Sequence, residues 1–504
     1  AASEMKQRLS AVLSEQIEQN PQNIWLQRQQ AMLPSAKIST IHSFCVSMIK
    51  ENLKTLDISA GVRMADEKEE IIIVKKCIEE LIEKEYKENP DKMEILYNWF
   101  CEKSDDELET KIIFTLYKFL MSIPFGEKWL ERATHIDSRE KLTENFTEIA
   151  ASKLKSILIN AEQAYRSAKE ADKTKVAEAI KAEYEQLEKA YKILSNENIM
   201  PAERLKVDDI TFASRLNIKS AKDDEETALK SERIKDLRDS YKEDWSELFG
   251  EIQDIDLSRD ERIYSEIMPI IRNLMAELTE MIWKVKVEKN IIGFGDAEQL
   301  AVRLLAELKD DGRIVKTPFA KELSEYYTTI MIDEFQDSNR NQELIFKMLS
   351  KDGDADIPGY NMFMVGDIKQ SIYSFRRANP KIFIETMNIS EPYPPKASHN
   401  SYVRLNRNFR SSDGVINFVN FVFSHIMSRE TGDIEYNQQE MLVQGRSFPN
   451  IKESRNTEIM YMQEYDARII AETINEMLKR GYPVTESDGT LRKCRPSDFC
   501  ILMR

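Results

Sequence analysis

Glycine and proline are scarce, 14 and 15 in 504 residues, which excludes collagen-like and Gly/Pro-rich disordered chains and favours a helix-rich protein. Histidine occurs four times, and the five cysteines (Cys45, Cys77, Cys101, Cys494, Cys500) are widely scattered. Together they form no metal-ligand cluster, and a reducing cytoplasm is the expected compartment. No apolar run approaches the roughly eighteen residues a membrane span requires. The opening Ala1-Ala2-Ser3-Glu4-Met5-Lys6 has no basic-then-apolar signal pattern, so secretion is not indicated. There is no G-x-x-x-x-G-K-[ST] loop to cradle phosphates. Positive charge is also in deficit: 72 Lys and Arg against 88 Asp and Glu leave a net −16, which argues against a protein that coats nucleic acid indiscriminately.

At roughly 100–200 residues per domain the length allows about three or four domains with sizeable cores. Residues 1–66 read as helix, loop, short strand and helix, with an amphipathic helix over Ala1 to Ile17 and the β-branched stretch Lys37-Ile38-Ser39-Thr40-Ile41 as the strand. Residues 67–290 are highly charged and nearly free of Gly and Pro, with apolar residues such as Ile71, Val74, Ile78 and Ile82 at helical spacing, the pattern of an inserted helical domain. Within it, 160–245 is the most polar part and is expected to be solvated helix pairs or linker without chemistry. From Gly293 the pattern changes to short apolar runs alternating with helices: Thr328–Ile332, Asn361–Val365 and Tyr402–Leu405. Buried parallel strands read this way, and in such α/β sheets ligands sit beyond the carboxyl ends of the strands.

The first run leads into Asp333-Glu334-Phe335-Gln336-Asp337. A strand ending in paired acids is how P-loop ATPases hold Mg²⁺ through one carboxylate while a neighbour orients the attacking water. Asp333 is therefore the candidate Mg²⁺ ligand and Glu334 the candidate water-activating group. The second run leads into Gly366-Asp367-Ile368-Lys369-Gln370-Ser371-Ile372-Tyr373-Ser374-Phe375-Arg376-Arg377. Gly366 permits a tight turn, and the Gln370 amide can reach a phosphate or its water. Tyr373, Phe375 and Arg376 interleave rings with charge as single-stranded nucleic acid requires; a salt bridge is the alternative for Arg376, and core packing for Phe375. The third run leads into Asn406-Arg407-Asn408-Phe409-Arg410, where Phe409 can stack on a purine and Arg410 can reach a phosphate. Residues 361–410 carry eight Lys and Arg against three Asp and Glu, a basic strip on an acidic protein.

Taken together, these segments resemble the superfamily 1A DNA helicases, the group of the UvrD, PcrA, Rep and RecB proteins. Asp333 to Asp337 is similar to their Walker B motif, Val365 to Ala378 to the motif of the γ-phosphate-sensing Gln and base-stacking aromatic, and Leu405 to Ser412 to the motif of the adenine-stacking aromatic and γ-phosphate Arg. Ala1 to Leu9 resembles the tail of a DNA-contacting motif, and Phe294 with Asp296 the Phe-x-Asp signature, with Ala297 in place of its usual Leu. Lys37 to Cys45 and Val365 to Tyr373 are also similar to the helicase–nuclease subunits of the AddA family, as is the long helical insert.

The resemblance implies RecA-like (P-loop NTPase) α/β motor domains with a large inserted all-helical domain. The first motor would comprise 1–66 and 291–395, the insert 67–290, and the start of the second motor 396–504. It implies ATP and Mg²⁺ as cofactors, with catalytic roles for Asp333, Glu334, Gln370 and Arg410 and nucleotide contacts from Phe409, Arg410 and Gln370. DNA contacts are implied for Thr40, His42, Ser43, Tyr373, Phe375 and Arg376. The expected activity is ATP-dependent 3′-to-5′ movement on DNA, processing double-strand breaks for homologous recombination, with exonuclease activity further along the chain. The expected partners are single- and double-stranded DNA ends and an AddB-type subunit. The phosphate loop and later motifs are expected outside this stretch, which reads as truncated at both ends and inactive by itself; Pro496 to Arg504 looks like a strand cut as it starts. Three rivals are a repair helicase without nuclease, a non-catalytic DNA-binding or scaffold protein, and a partner-docking role for the acidic insert.

Overall fold

The computed structural model describes residues 2–101, 107–134, 139–196, 198–214, 216–219, 224–255, 257–351, 359–372, 377–396, 400–428, 434, 436–446, 457, 467–486 and 489–502. The chain forms two compact units: the first is built from residues 1–326 with 340–349 and 354–357, the second from 327–339, 350–353 and 358–504.

In the first unit the helix Ala2–Gln19 forms as expected, but Lys37–Thr40 is not a strand. Thr40 instead caps the helix Ile41–Glu51, its Oγ1 accepting the Ser43 N–H at 3.4 Å. Among the described residues the β-branched stretch has no neighbouring strand, and an N-cap satisfies a backbone donor that an unpaired strand would leave open. The first sheet pair is β1 (Arg63–Met64) with β2 (Ile291–Ile292), parallel in the register Arg63↔Ile291. The helices between 67 and 288 thus leave one strand and return to its neighbour.

Those helices build two separate cores. In the first, Asp66 caps the helix Glu67–Glu88 by accepting the Glu69 N–H at 2.8 Å. The stripe Ile73, Val74, Cys77, Ile78, Leu81 and Ile82 then packs on the long helix Leu257–Glu288 through Leu274, Leu278 and Ile282. The second core joins Arg139–Glu170, Thr174–Leu194 and Glu225–Gln253 around Leu154, Ala161, Ala164, Ile180, Leu187, Tyr241 and Trp245. The stretch 160–245 is thus a packed bundle rather than solvated pairs or linker. At its centre Arg238 meets Glu183 through both nitrogens, at 2.5 and 3.1 Å, and Tyr241 donates to the same carboxylate. Glu183 also accepts the Ala213 N–H at 2.9 Å, which pins the non-helical segment 206–214 to the bundle. Burial works against the Glu183 charge, but Arg238 and Tyr241 outweigh it and hold the carboxyl below its ordinary value.

A second buried polar cluster ties the ends of the helical region to the helix Phe294–Leu305. Lys286, with no exposed surface, donates to Asp296 at 2.6 Å and Glu70 at 2.7 Å and lies 3.5 Å from the Tyr117 hydroxyl. Asp296 also accepts the Gly293 N–H at 2.6 Å. A Cβ on Gly293 would stand 2.0 Å from the Glu70 carboxylate, so a side chain there would push Glu70 off Lys286. The unit also holds the antiparallel pair β3 (Ala306–Leu308) and β4 (Ile314–Lys316).

The second unit begins with the parallel pair β5 (Ile330–Ile332) and β6 (Met362–Met364), in the register Met331↔Phe363. Two further parallel pairs follow, β7 (Glu391–Pro392) with β8 (Ser401–Tyr402) and β9 (Arg407–Asn408) with β10 (Val443–Gln444), then the antiparallel β11 (Pro483–Thr485) with β12 (Leu491–Lys493). Among the described residues no sheet exceeds two strands. The third expected strand is divided: Tyr402 ends β8, Val403 to Leu405 is irregular and exposed, and pairing resumes at Arg407. After the short 3₁₀ turn Pro496–Asp498, residues 499–502 form no strand. None of the described helices is long and apolar enough to cross a membrane.

Candidate active site

The β5–β6 ladder runs one step past the strands, with Val365 N–H to Ile332 O and Phe335 N–H to Val365 O, both at 2.9 Å. This holds the two acid-bearing segments side by side. Asp333 and Glu334 emerge into solvent while Phe335 and Gln336 are buried. Glu334 takes a left-handed backbone at φ 52°, ψ 42°, and its N–H is held by Asp333 Oδ1 at 3.1 Å. Such a conformation costs a non-glycine residue about 1 kcal/mol or more and is typical of functional sites. Phe335 anchors the turn, edge-on to Phe383 with centroids 5.8 Å apart.

Gln336 lies under the acids, 1% exposed. Its Nε2 donates to Glu334 Oε2 at 2.8 Å and Asp337 Oδ2 at 3.4 Å, and its Oε1 accepts the Asp367 N–H at 3.0 Å. The role of Gly366 differs from the expected tight turn. A Cβ there would stand 2.6 Å from Gln336 Oε1 and 3.2 Å from its backbone nitrogen, so glycine is needed for close approach. Burial, and then the Glu334 charge, push the Asp337 carboxyl above its ordinary value against the hydrogen bond from Gln336.

Asp367 continues the connection by accepting from Gln370 Nε2 at 3.0 Å. It also meets Lys369 Nζ at 2.8 Å; Lys369 reaches Glu440 at 3.2 Å, and Glu440 pairs with Arg404. Burial opposes the Lys369 charge, but Asp367 and Glu440 prevail and its pKa is raised. Gln370, Arg407, Asn408, Phe409 and Arg410 line one open cleft of about 460 Å³. Asn408 shapes its floor, its Oδ1 accepting the N–H groups of Arg410 at 2.9 Å and Ser411 at 2.8 Å. Gly445 lets the chain pass the Phe409 ring, where a Cβ would come within 2.8 Å, and 60% of Phe409 stays exposed.

Of the expected site residues, Gln370, Phe409 and Arg410 therefore share a cleft, and Glu334 connects to Gln370 through Gln336 and Asp367. Tyr373, Phe375 and Arg376 lie outside the described residues. Thr40, His42 and Ser43 stand together at the start of Ile41–Glu51 in the first unit, with the Thr40 and Ser43 hydroxyls 2.8 Å apart. His42 Nε2 is 3.0 Å from Glu298 Oε1, and its ring meets Phe294 edge-on with centroids 4.7 Å apart. Sequence reasoning gave no role to Gln336, Asp367, Lys369 or Glu440. The amide of Gln336 among three acids was visible, but Glu440, 71 residues from Lys369, carries no local signal.

Among the described residues no three His, Cys, Asp or Glu side chains converge as a metal-ligand group. The residues fit a Mg²⁺ ion nonetheless, since that ion is commonly held by one or two carboxylates with water and substrate phosphates, and Asp333 presents an exposed carboxylate at a strand end.

Residues 1–389 match the family model for the UvrD/REP helicase N-terminal domain. The chain is 33% identical over 547 residues to an ATP-dependent helicase/nuclease subunit of Clostridium beijerinckii, a match covering all of this chain and 43% of that protein. It is 33% identical over 474 residues to the protein of the same name in Acetivibrio thermocellus, covering 90% of this chain and 37% of that one. The Bacillus pumilus counterpart is 28% identical over 533 residues, with 100% and 42% covered. The chain thus spans less than half the length of these relatives.

Proposed function

The chain belongs to the UvrD/REP helicase family, and on that premise we propose that it carries part of the motor of an ATP-dependent DNA helicase. The whole protein would move 3′-to-5′ as the helicase–nuclease component of a complex with an AddB-type partner and prepare double-strand breaks for recombination. The family implies the P-loop NTPase fold of superfamily 1. Within it, 1–66 and 291–395 would form the first motor, 396–504 the start of the second, and 67–290 an insert; the return of that region from β1 to its neighbour β2 supports the last reading.

The observation that carries the proposal is the linkage of Glu334 to the cleft of Gln370, Phe409 and Arg410 through a continuous chain of hydrogen bonds that passes through the buried Gln336. Asp333 would hold Mg²⁺, which supplies charge neutralisation at the phosphates when bound. Glu334 would accept a proton from the attacking water, Gln370 would meet the terminal phosphate, Arg410 would neutralise charge there, and Phe409 would stack on the base. Thr40, His42 and Ser43, at a helix N-terminus suited to phosphate, would contact the DNA backbone. Tyr373 and Phe375 would stack on bases, with Arg376 holding the strand.

The test is Glu334→Gln in the whole protein. ATP binding should persist while DNA-stimulated hydrolysis falls by about 10²–10⁴-fold, the usual worth of a general base. Turnover near wild type would remove Glu334 from the mechanism.

A further inference from the structure

We propose that Gln336 is a positioning residue that sets the Glu334 carboxylate and ties it to the segment bearing Gln370, so that hydrolysis answers to what occupies the cleft. The inference rests on the reading of Glu334 as the water-activating group and adds the element that controls it.

The side chain is fully committed. Both amide hydrogens face carboxylates, Glu334 at 2.8 Å and Asp337 at 3.4 Å, and its oxygen faces a backbone N–H at 3.0 Å. A flipped amide would set its oxygen against two acids and its NH₂ against a donor, so the orientation follows from the partners. Glu334 is exposed, so packing around its side chain does not aim the carboxylate at a fixed point. The hydrogen bond from Gln336 to Oε2 supplies that aim. The other end of the amide grips Asp367, whose carboxylate holds Gln370 at 3.0 Å. A shift of the 366–370 segment when Gln370 meets a ligand must therefore move or break the contact at Gln336, and with it the orientation of Glu334. The close packing of Gly366 on the amide leaves little slack in this linkage.

The experiment is steady-state ATP hydrolysis with single-stranded DNA by the whole protein, comparing wild type, Gln336→Met, Gln336→Glu, Glu334→Gln and the double variant Gln336→Met/Glu334→Gln. Gln336→Met should lower kcat about tenfold or more while the KM for ATP stays near wild type. Gln336→Glu keeps the acceptor for Asp367 but loses the donor to Glu334. Burial beside Glu334 and Asp337 favours the protonated form of the introduced carboxyl, so its kcat should fall as pH rises and it loses that proton, and its activity relative to wild type should recover as pH falls, because a protonated Glu regains the donor. The double variant should be no slower than Glu334→Gln alone, since two residues acting through one group are not additive. If Gln336→Met does not fold, the kcat and pH profile of Gln336→Glu decide the matter. Wild-type kcat in the Gln336 variants with an inactive Glu334→Gln overturns the positioning role and leaves Glu334 in place. An active Glu334→Gln overturns the reading on which it rests.

Discussion

The substitution Lys286→Met removes an ammonium with no exposed surface that donates to Asp296 at 2.6 Å and Glu70 at 2.7 Å. Two charge-assisted hydrogen bonds at about 1.5–3 kcal/mol each would be lost, offset in part because Met carries no buried charge. Glu70 can turn toward water, its side chain being 21% exposed, but Asp296 at 6% cannot. Most of the cost therefore falls on an unpaired buried carboxylate that keeps only the Gly293 N–H, and about 3 kcal/mol is expected. The unit has about 340 residues, and at about 2.1 cal/mol/K of unfolding entropy per residue the melting temperature should drop by about 4 °C.

Intrinsic fluorescence is the suitable assay, because all five tryptophans (Trp25, Trp99, Trp129, Trp245, Trp283) lie in this unit. Adding Asp296→Asn should restore part of the loss, since Asn retains an acceptor for Gly293 without a charge. Burial alone would push the Lys286 pKa down, but Asp296, Tyr117 and Glu70 outweigh it and raise it. Its contribution is then complete below the unfolded lysine pKa of about 10.4 and is lost as pH rises through the higher folded value. The Lys286→Met difference should accordingly stay constant between about pH 7 and 10. A melting temperature within about 1 °C of the parent, or further loss on adding Asp296→Asn, would refute the reasoning.

Two other predictions need no nucleotide. Tyr241→Phe removes the hydroxyl donor to Glu183 but leaves the paired contact from Arg238, so it should cost about 1–2 kcal/mol by the same fluorescence assay, and an unchanged melt would deny the bundle its polar centre. Burial, and then the charge of Glu298, push the Cys45 thiol up to about 12; in native protein at about pH 8 iodoacetamide should spare Cys45 and label the exposed Cys500, and rapid labelling of Cys45 would show the helix Ile41–Glu51 to be open.

Two of the three strand runs beyond Gly293 were legible because Ile330–Ile332 and Met362–Met364 pair with each other. Tyr402–Leu405 is interrupted by Arg404, and only Tyr402 pairs, in β8; composition marks residues that could enter a strand, not whether a partner waits beside them. The bundle over 160–245 is hard to read from its sequence for a related reason. Its core uses Ala161, Ala164 and Ala168, all fully buried, and small residues that let helices approach closely look polar on average when Lys and Glu surround them.

The sequence by itself determined the candidate acids and the residues of the cleft, because Asp333, Glu334 and Gln370 follow the apolar runs that become β5 and β6, and the adjacent aromatic and arginine Phe409-Arg410 stand out by their chemistry, directly after β9. Only the tertiary structure decided that Gln336 joins Glu334 to Asp367, that Glu440 meets Lys369, and that Lys286 closes on Asp296 and Glu70 from positions up to 216 residues apart. Burial and hydrogen-bond partnership are properties of pairs of segments, and no pattern within either segment specifies the other.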